Sequence, residues 1–179
     1  MAEVAATRLD KAAIVAAALD LLDEAGLDGL STRRLAAVLG VKGPSLYWHF
    51  KTMGDLHAHM AEAVLAAHMP TADDLPGDWR TWLGAGARSL RRAALSRRDG
   101  ARLLIASRRT GTSREITALA NLARLEAAGF PRERAIAAFL AVSRYALGWT
   151  LAEQAAGAAA SREEFEFGLS AMLAGLSPD

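Results

Sequence analysis

Apolar residues recur at intervals of three and four along most of the chain, and no segment alternates with period two. That pattern predicts helices throughout and no strands. Between Asp10 and about Ala25, Ile14, Ala18, Leu21, Leu22 and Ala25 share one face, and Gly26 stops the run. Ser31 is placed to cap a short helix reaching about Leu39, which Gly40 ends. Gly43-Pro44 opens another short helix, because proline is tolerated in a first turn. A longer helix is expected from about Gly54 to His68, and Pro70 to Pro76 reads as a loop.

Asp78 can cap a helix from Trp79 to about Arg97, and a short helical piece follows near Asp99–Ser107. Thr112 and Glu115 have the spacing of a capping box, opening a helix that ends at Gly129. Pro131 opens a long helix to about Ala156, and Ser161 with Glu164 makes a second box before a last helix to about Leu176. The expected architecture is all-α, with a three-helix unit over 1–52 and a larger helical body over 53–179.

Composition agrees and adds exclusions. Alanine supplies 41 of 179 positions and aromatics only 6%, which favours helix over sheet. The absence of cysteine excludes a disulfide scaffold, a thiolate zinc site and cysteine catalysis. No stretch has the roughly 18 consecutive apolar residues of a bilayer crossing. Met1–Ala6 lacks the basic start and apolar run of a signal peptide, so a cytoplasmic protein with no membrane partner is expected. With a net charge of +1, any surface for nucleic acid must be local.

One segment meets that condition. Ala36, Gly40 and Leu46 have helix-turn-helix spacing: a small residue for close approach, a glycine for the turn, an apolar anchor for the second helix. Leu35, Leu39, Val41 and Phe50 complete the inward side, leaving Lys42, Gly43, Ser45, Tyr47, Trp48 and His49 outward. Residues 29–54 carry four basic side chains (Arg33, Arg34, Lys42, Lys51) and no acidic one. Consecutive helical positions point about 100° apart, so Tyr47 and Trp48 cannot both join Leu46 and Phe50 inside. A DNA-binding face accounts for the charge and the rings together.

Thr7-Arg8-Leu9-Asp10, Ala17-Ala18-Leu19, Gly29-Leu30-Ser31-Thr32-Arg33-Arg34-Leu35-Ala36, Leu39-Gly40-Val41 and Pro44-Ser45-Leu46-Tyr47-Trp48-His49 together resemble the TetR family of transcriptional repressors, nearest its tetracycline-repressor branch. The resemblance continues through Leu65-Ala66-Ala67-His68, Trp79, Arg98-Asp99-Gly100-Ala101, Gly129-Phe130 and Leu147-Gly148. It implies a homodimer whose two recognition helices enter successive major grooves of a palindromic operator, with half-sites about one helical turn apart. By position, Arg33 is the residue to read a guanine, since its fork fits O6 and N7. Thr32, Ser45, Tyr47, His49 and Lys51 resemble phosphate or sugar contacts that set register. Pro44 and Trp48 are placed to meet a thymine methyl or the backbone, and Lys42 takes over an edge where Gly43 lacks the branch's amide.

The resemblance also implies a second domain that binds a small-molecule inducer and thereby loses DNA affinity. At the matching places stand His68, Met69, Trp82, Gly86, Leu90, Leu104, Arg108, Ile116 and Phe139. The branch holds a drug–magnesium chelate with an amide, an imidazole and a carboxylate. Here Gly86, Leu104 and Ala152 occupy those places, with Glu153 one step off. Leucine offers a hard cation no donor, so a fairly apolar inducer is expected, and no cofactor or resident metal. The last two helices are expected to build the dimer, with Phe139, Leu140, Leu147, Leu151, Phe165, Leu169, Met172, Leu173 and Leu176 as interface candidates. The link between Ala156 and Ser161 is shorter than the branch usually carries, which leaves a regulator without a ligand, or one controlled by a protein partner, as the alternative.

An enzyme is not expected, and no catalytic residue is assigned. None of His49, His57, His59 and His68 lies in an H-E-x-x-H pattern, and Gly84-Ala85-Gly86 lacks the third glycine of a dinucleotide fingerprint.

Overall fold

The computed structural model describes residues 9–69, 77–107, 122–157 and 162–178, and every regular element among them is helical. The first elements are α1 (Lys11–Gly29), α2 (Thr32–Val38), α3 (Gly43–Tyr47) and α4 (Met53–Ala66). Then come α5 (Trp79–Leu95), α6 (Gly100–Ala106), α7 (described over 122–127), α8 (Arg132–Ala156) and α9 (Arg162–Gly175). The expected capping-box residues Thr112 and Ser161 lie outside the described residues.

Side-chain caps set the helix starts. Asp10 accepts from the N–H of Ala13, Ser31 from Arg34, Thr52 from Asp55 and Asp78 from Thr81. Each satisfies one of the donors a first turn leaves open. The Thr81 hydrogen bond also holds the Asp78 carboxyl below the usual range. The α1 run is broken where the glycine signalled a stop: Gly26 has φ 72 and ψ 175, so a short second piece of helix continues beyond a kink to Gly29. Two other starts differ by a residue from expectation, with α4 opening at Met53 and Pro131 standing at the N-cap of α8.

The three-helix unit closes on α4. Ile14, Leu35, Leu46 and Phe50 meet Leu56 of α4 around a crevice of about 10 Å³, no larger than a single water needs. Farther along, α4 leans on α5 and α6, and α8 runs along α5, α6 and α9. One continuous apolar core results, from Ile14 and Leu22 through Met60 to Leu103, Leu104, Leu147 and Leu169. At the sharp α5–α6 corner a Cβ on Gly100 would collide with the backbone oxygen of Ala94, so only glycine fits.

By length and apolarity α8 is the one described helix able to cross a bilayer. Its apolar side is instead spent in the core through Ala135, Ala138, Val142, Ala146 and Leu147.

Ion pairs join the first unit to the second. Arg97 meets Asp23 at 2.6 Å, and the Arg98 N–H donates to the same carboxylate. The Arg98 guanidinium donates to the Glu24 carbonyl at 2.7 Å. Arg102 forms a two-pronged pair with Asp28 at 2.8 and 2.9 Å, which holds the Asp28 carboxyl below its ordinary range. These groups flank the kink of α1, so α6 and α1 are fastened side by side.

Candidate nucleic-acid interface and sensor face

The turn between α2 and α3 is built as its sequence demands. Gly40 has φ 65, and the N–H of Val41 donates to the Ala36 carbonyl at 3.0 Å, bending the chain back. A left-handed residue without a Cβ costs little there, whereas an ordinary side chain is strained. Ala36 and Leu46 are both buried, fixing α3 across α2.

That packing turns the remaining α3 residues outward. Trp48 is 89% exposed and Tyr47 56%, an unusual state for two large rings side by side. Arg33, Lys42, Pro44 and Lys51 are exposed around them, and Thr32, Ser45 and His49 are half-buried at the margin. All nine residues expected at a DNA face therefore lie at the surface of one short motif. Arg34 is drawn away from it, donating to the Gly29 carbonyl at 3.1 Å. The Asp55 carboxylate accepts from the backbone N–H of Lys51 at 3.0 Å and faces His59 at 3.7 Å, while the Asp55 N–H donates to the Thr52 hydroxyl.

The residues expected to line a sensor pocket divide into separate groups. Trp82, Leu90 and Leu104 are closed in the core, and Phe139 is half-buried on α8. A Cβ built on Gly86 meets nothing within 4 Å, so that place borders open space. His68 and Met69 border a different space, a groove of about 310 Å³ shared with Ala67, Ala85, Arg88, Ser89 and Arg92. Arg108 and Ile116 lie outside the described residues.

Two features escaped the sequence reading. Glu153 is 5% exposed and pairs with Arg91 at 2.5 and 3.0 Å, and the same guanidinium lies over the Phe165 ring. Arg88 grips Glu166 of α9 through three contacts of 2.7 to 2.9 Å, an interaction that lowers the Glu166 pKa and raises that of Arg88. Both pairs join residues 62 and 78 apart in the chain, so no local spacing signalled them.

Comparison with known proteins settles the family. Residues 14–60 match the bacterial regulatory proteins of the tetR family, and residues 70–164 match the tetracyclin repressor-like C-terminal domain. The chain is 46% identical over 153 residues to the class A tetracycline repressor protein from transposon 1721 of Escherichia coli, covering 83% of this chain and 69% of that one. The chain belongs to the TetR family. A variant TetR of Acinetobacter baumannii in complex with minocycline superposes with a TM-score of 0.83 at 42% identity, covering 94% of this chain and 96% of that one. BioQ bound to its double-stranded DNA operator superposes with a TM-score of 0.79 at 34% identity, covering 94% and 98%.

The protein is accordingly a TetR-family DNA-binding repressor and not an enzyme. The places that the resemblance matches to the branch's drug–magnesium donors carry other chemistry. Leu104 is fully buried and has no donor atom, and the Glu153 carboxylate is committed to Arg91. Among the described residues no three metal-ligating side chains converge.

The expected dimer residues also divide. Leu147, Phe165 and Leu169 are buried inside the single chain, so they support its own core. Phe167, 77% exposed, and Ile136 stay uncovered and Leu140 is half-buried, whereas Met172, Leu173 and Leu176 pack in part against the chain's own core.

Proposed function

We propose that the protein represses transcription as a cytoplasmic homodimer on a palindromic operator and is released by a small-molecule inducer other than tetracycline–magnesium. The DNA-binding unit spans 1–52, and 53–179 senses the inducer and dimerises. The exposed face of Tyr47, Trp48 and their basic neighbours carries this reading, because a solvated face gives no reason to expose two large rings together. Arg33 reads a guanine edge; Lys42 and Pro44 contact neighbouring bases; Thr32, Ser45, Tyr47, His49 and Lys51 hold the phosphate backbone, with Trp48 packed along it.

Dimerisation through α8 and α9 places the two α3 helices on one side of the assembly, and Phe167 and Ile136 supply its exposed apolar contacts. Inducer bound between α4 and α5 acts on DNA only through a state it favours over the DNA-competent one. The fastening of α6 to the α1 kink provides a physical route for that bias. The operator complex of one similar protein supports DNA binding, and the minocycline complex of another supports a small-molecule site in the second body without specifying this chain's inducer.

The test is fluorescence anisotropy with operator fragments selected by the protein from its own genome. Saturable binding of two protomers to a symmetric site supports the proposal. Equal affinity for selected and scrambled fragments refutes it.

A further inference from the structure

The groove between the end of α4 and the middle of α5 differs in chemistry from the buried places expected to sense an inducer. Along α5, Trp82, Gly86 and Leu90 lie on one side, while Ala85, Arg88, Ser89 and Arg92 face about a third of a turn away. The second set, with His68 and Met69 opposite, borders an open groove of about 310 Å³, the lower end of the range for small-molecule sites. Three of the lining side chains are basic or carry an imidazole, and none is acidic.

These groups are held in place differently. Arg88 is neutralised by its fork on Glu166. Arg92 has no carboxylate partner among the described residues; its Nη2 donates to the buried hydroxyl of Ser89 at 2.8 Å. That bond anchors a guanidinium at the rim of the groove without cancelling its charge. His68 Nδ1 donates to the Val64 carbonyl at 2.9 Å, which fixes the ring and leaves Nε2 for the groove. Met69 and Ala85 supply apolar wall between the polar groups.

We infer that this groove binds the acid end of a small amphiphilic carboxylate, with Arg92 receiving the carboxylate and Met69 and Ala85 covering its apolar part. A preset guanidinium pairs with a carboxylate through two parallel hydrogen bonds, and an apolar wall beside it discriminates against bare inorganic anions. The inference rests on the proposal that the body over 53–179 senses a small molecule, and it replaces a fairly apolar inducer by an acidic one.

The test is isothermal titration of the full chain with octanoate, 3-phenylpropionate, 1-octanol and inorganic phosphate, repeated on Arg92→Gln and Arg92→Lys. Arg92 is exposed, so both variants keep the fold. At least one carboxylate should bind saturably, tenfold or more tighter than 1-octanol and than phosphate. Arg92→Gln should weaken that binding about tenfold or more, and Arg92→Lys less. No binding by either carboxylate, equal binding of octanoate and 1-octanol, equal binding of phosphate, or indifference to Arg92→Gln each overturns the inference. Operator anisotropy on the same samples separates the two readings. Carboxylate binding that depends on Arg92 but leaves operator affinity unchanged keeps the groove and rejects the inducer reading. Operator release by a compound whose binding ignores Arg92 does the reverse.

Discussion

The Asp99 carboxylate accepts a hydrogen bond from the backbone N–H of Leu27 at 2.8 Å, tying the head of α6 to the kink of α1 across 72 residues of chain. Asp99 has φ 54, a left-handed conformation that aspartate tolerates better than most residues. A Cβ on Gly26 would stand 2.7 Å from the same Asp99 oxygen. The kink is thus open enough only for glycine, and it is capped from the other unit of the protein.

Asp99→Ala removes that cap and keeps the strained backbone. It should cost about 1–2 kcal/mol of stability in urea titration, the range for losing a cap or a hydrogen bond to a charged group. If the tie carries the inducer signal, the variant retains operator binding while its ligand-driven release shrinks. Unchanged stability together with full release would contradict the role given to this contact.

Arg33→Ala should weaken operator binding by about 1–3 kcal/mol and relax preference at one base position. Lys51→Ala should weaken binding to every sequence and flatten the salt dependence by about one ion. A panel of single-base operator variants titrated at several salt concentrations distinguishes the two. Identical, sequence-independent losses would show that the residues do not divide their roles in this way.

Glu153→Ala leaves the Arg91 guanidinium inside the α5–α8 contact without its partner. Such a change typically costs about 3–5 kcal/mol, while replacing both partners by apolar residues of similar size is often neutral. Denaturant midpoints should therefore fall steeply for Glu153→Ala and recover in the Arg91→Met/Glu153→Met pair. A double variant no better than the single one would place the stabilising contribution elsewhere.

His57 gives stability a pH dependence of known sign. Its Nε2 is buried without a hydrogen-bond partner among the described residues, and burial pushes its pKa below the usual value of about 6.5. The unfolded chain takes up the proton more readily, so this contribution is complete above about pH 6.5 and is lost as the pH falls through that value toward the folded pKa. Replacing the ring by His57→Phe should flatten the fall in melting temperature between about pH 7 and 5. An identical slope in both proteins would remove His57 as its source.

Much of this architecture was legible in the residues. Ser31, Asp78, Gly26 and Gly40 act through local geometry, so their positions announced the caps, the kink and the turn before any packing was known. The recognition face was legible for a related reason: Leu46 in a very short helix and Phe50 just beyond it turn inward, and Trp48 between them is left outside. Tertiary pairings left no such local mark. Asp99 meets Leu27, Arg91 meets Glu153 and Arg88 meets Glu166 across 62 to 78 residues of chain. The same nonlocality hid the groove, because Arg92 reads as solvated until α4 brings His68 and Met69 beside it. It also misassigned part of the dimer face: Leu147, Phe165 and Leu169 have the apolar spacing of an interface but are consumed where α9 folds onto α8.

The central claim is that the Tyr47–Trp48 face and its basic rim read an operator. Capture of genomic fragments by the wild-type protein, followed by sequencing, tests it most directly, with a Trp48→Ala/Lys51→Ala double variant run in parallel. Enrichment of one symmetric motif with half-sites about one helical turn apart, lost in the variant, is the result this account predicts. Fragments enriched without a shared motif, or the same motif captured equally by the variant, would contradict it.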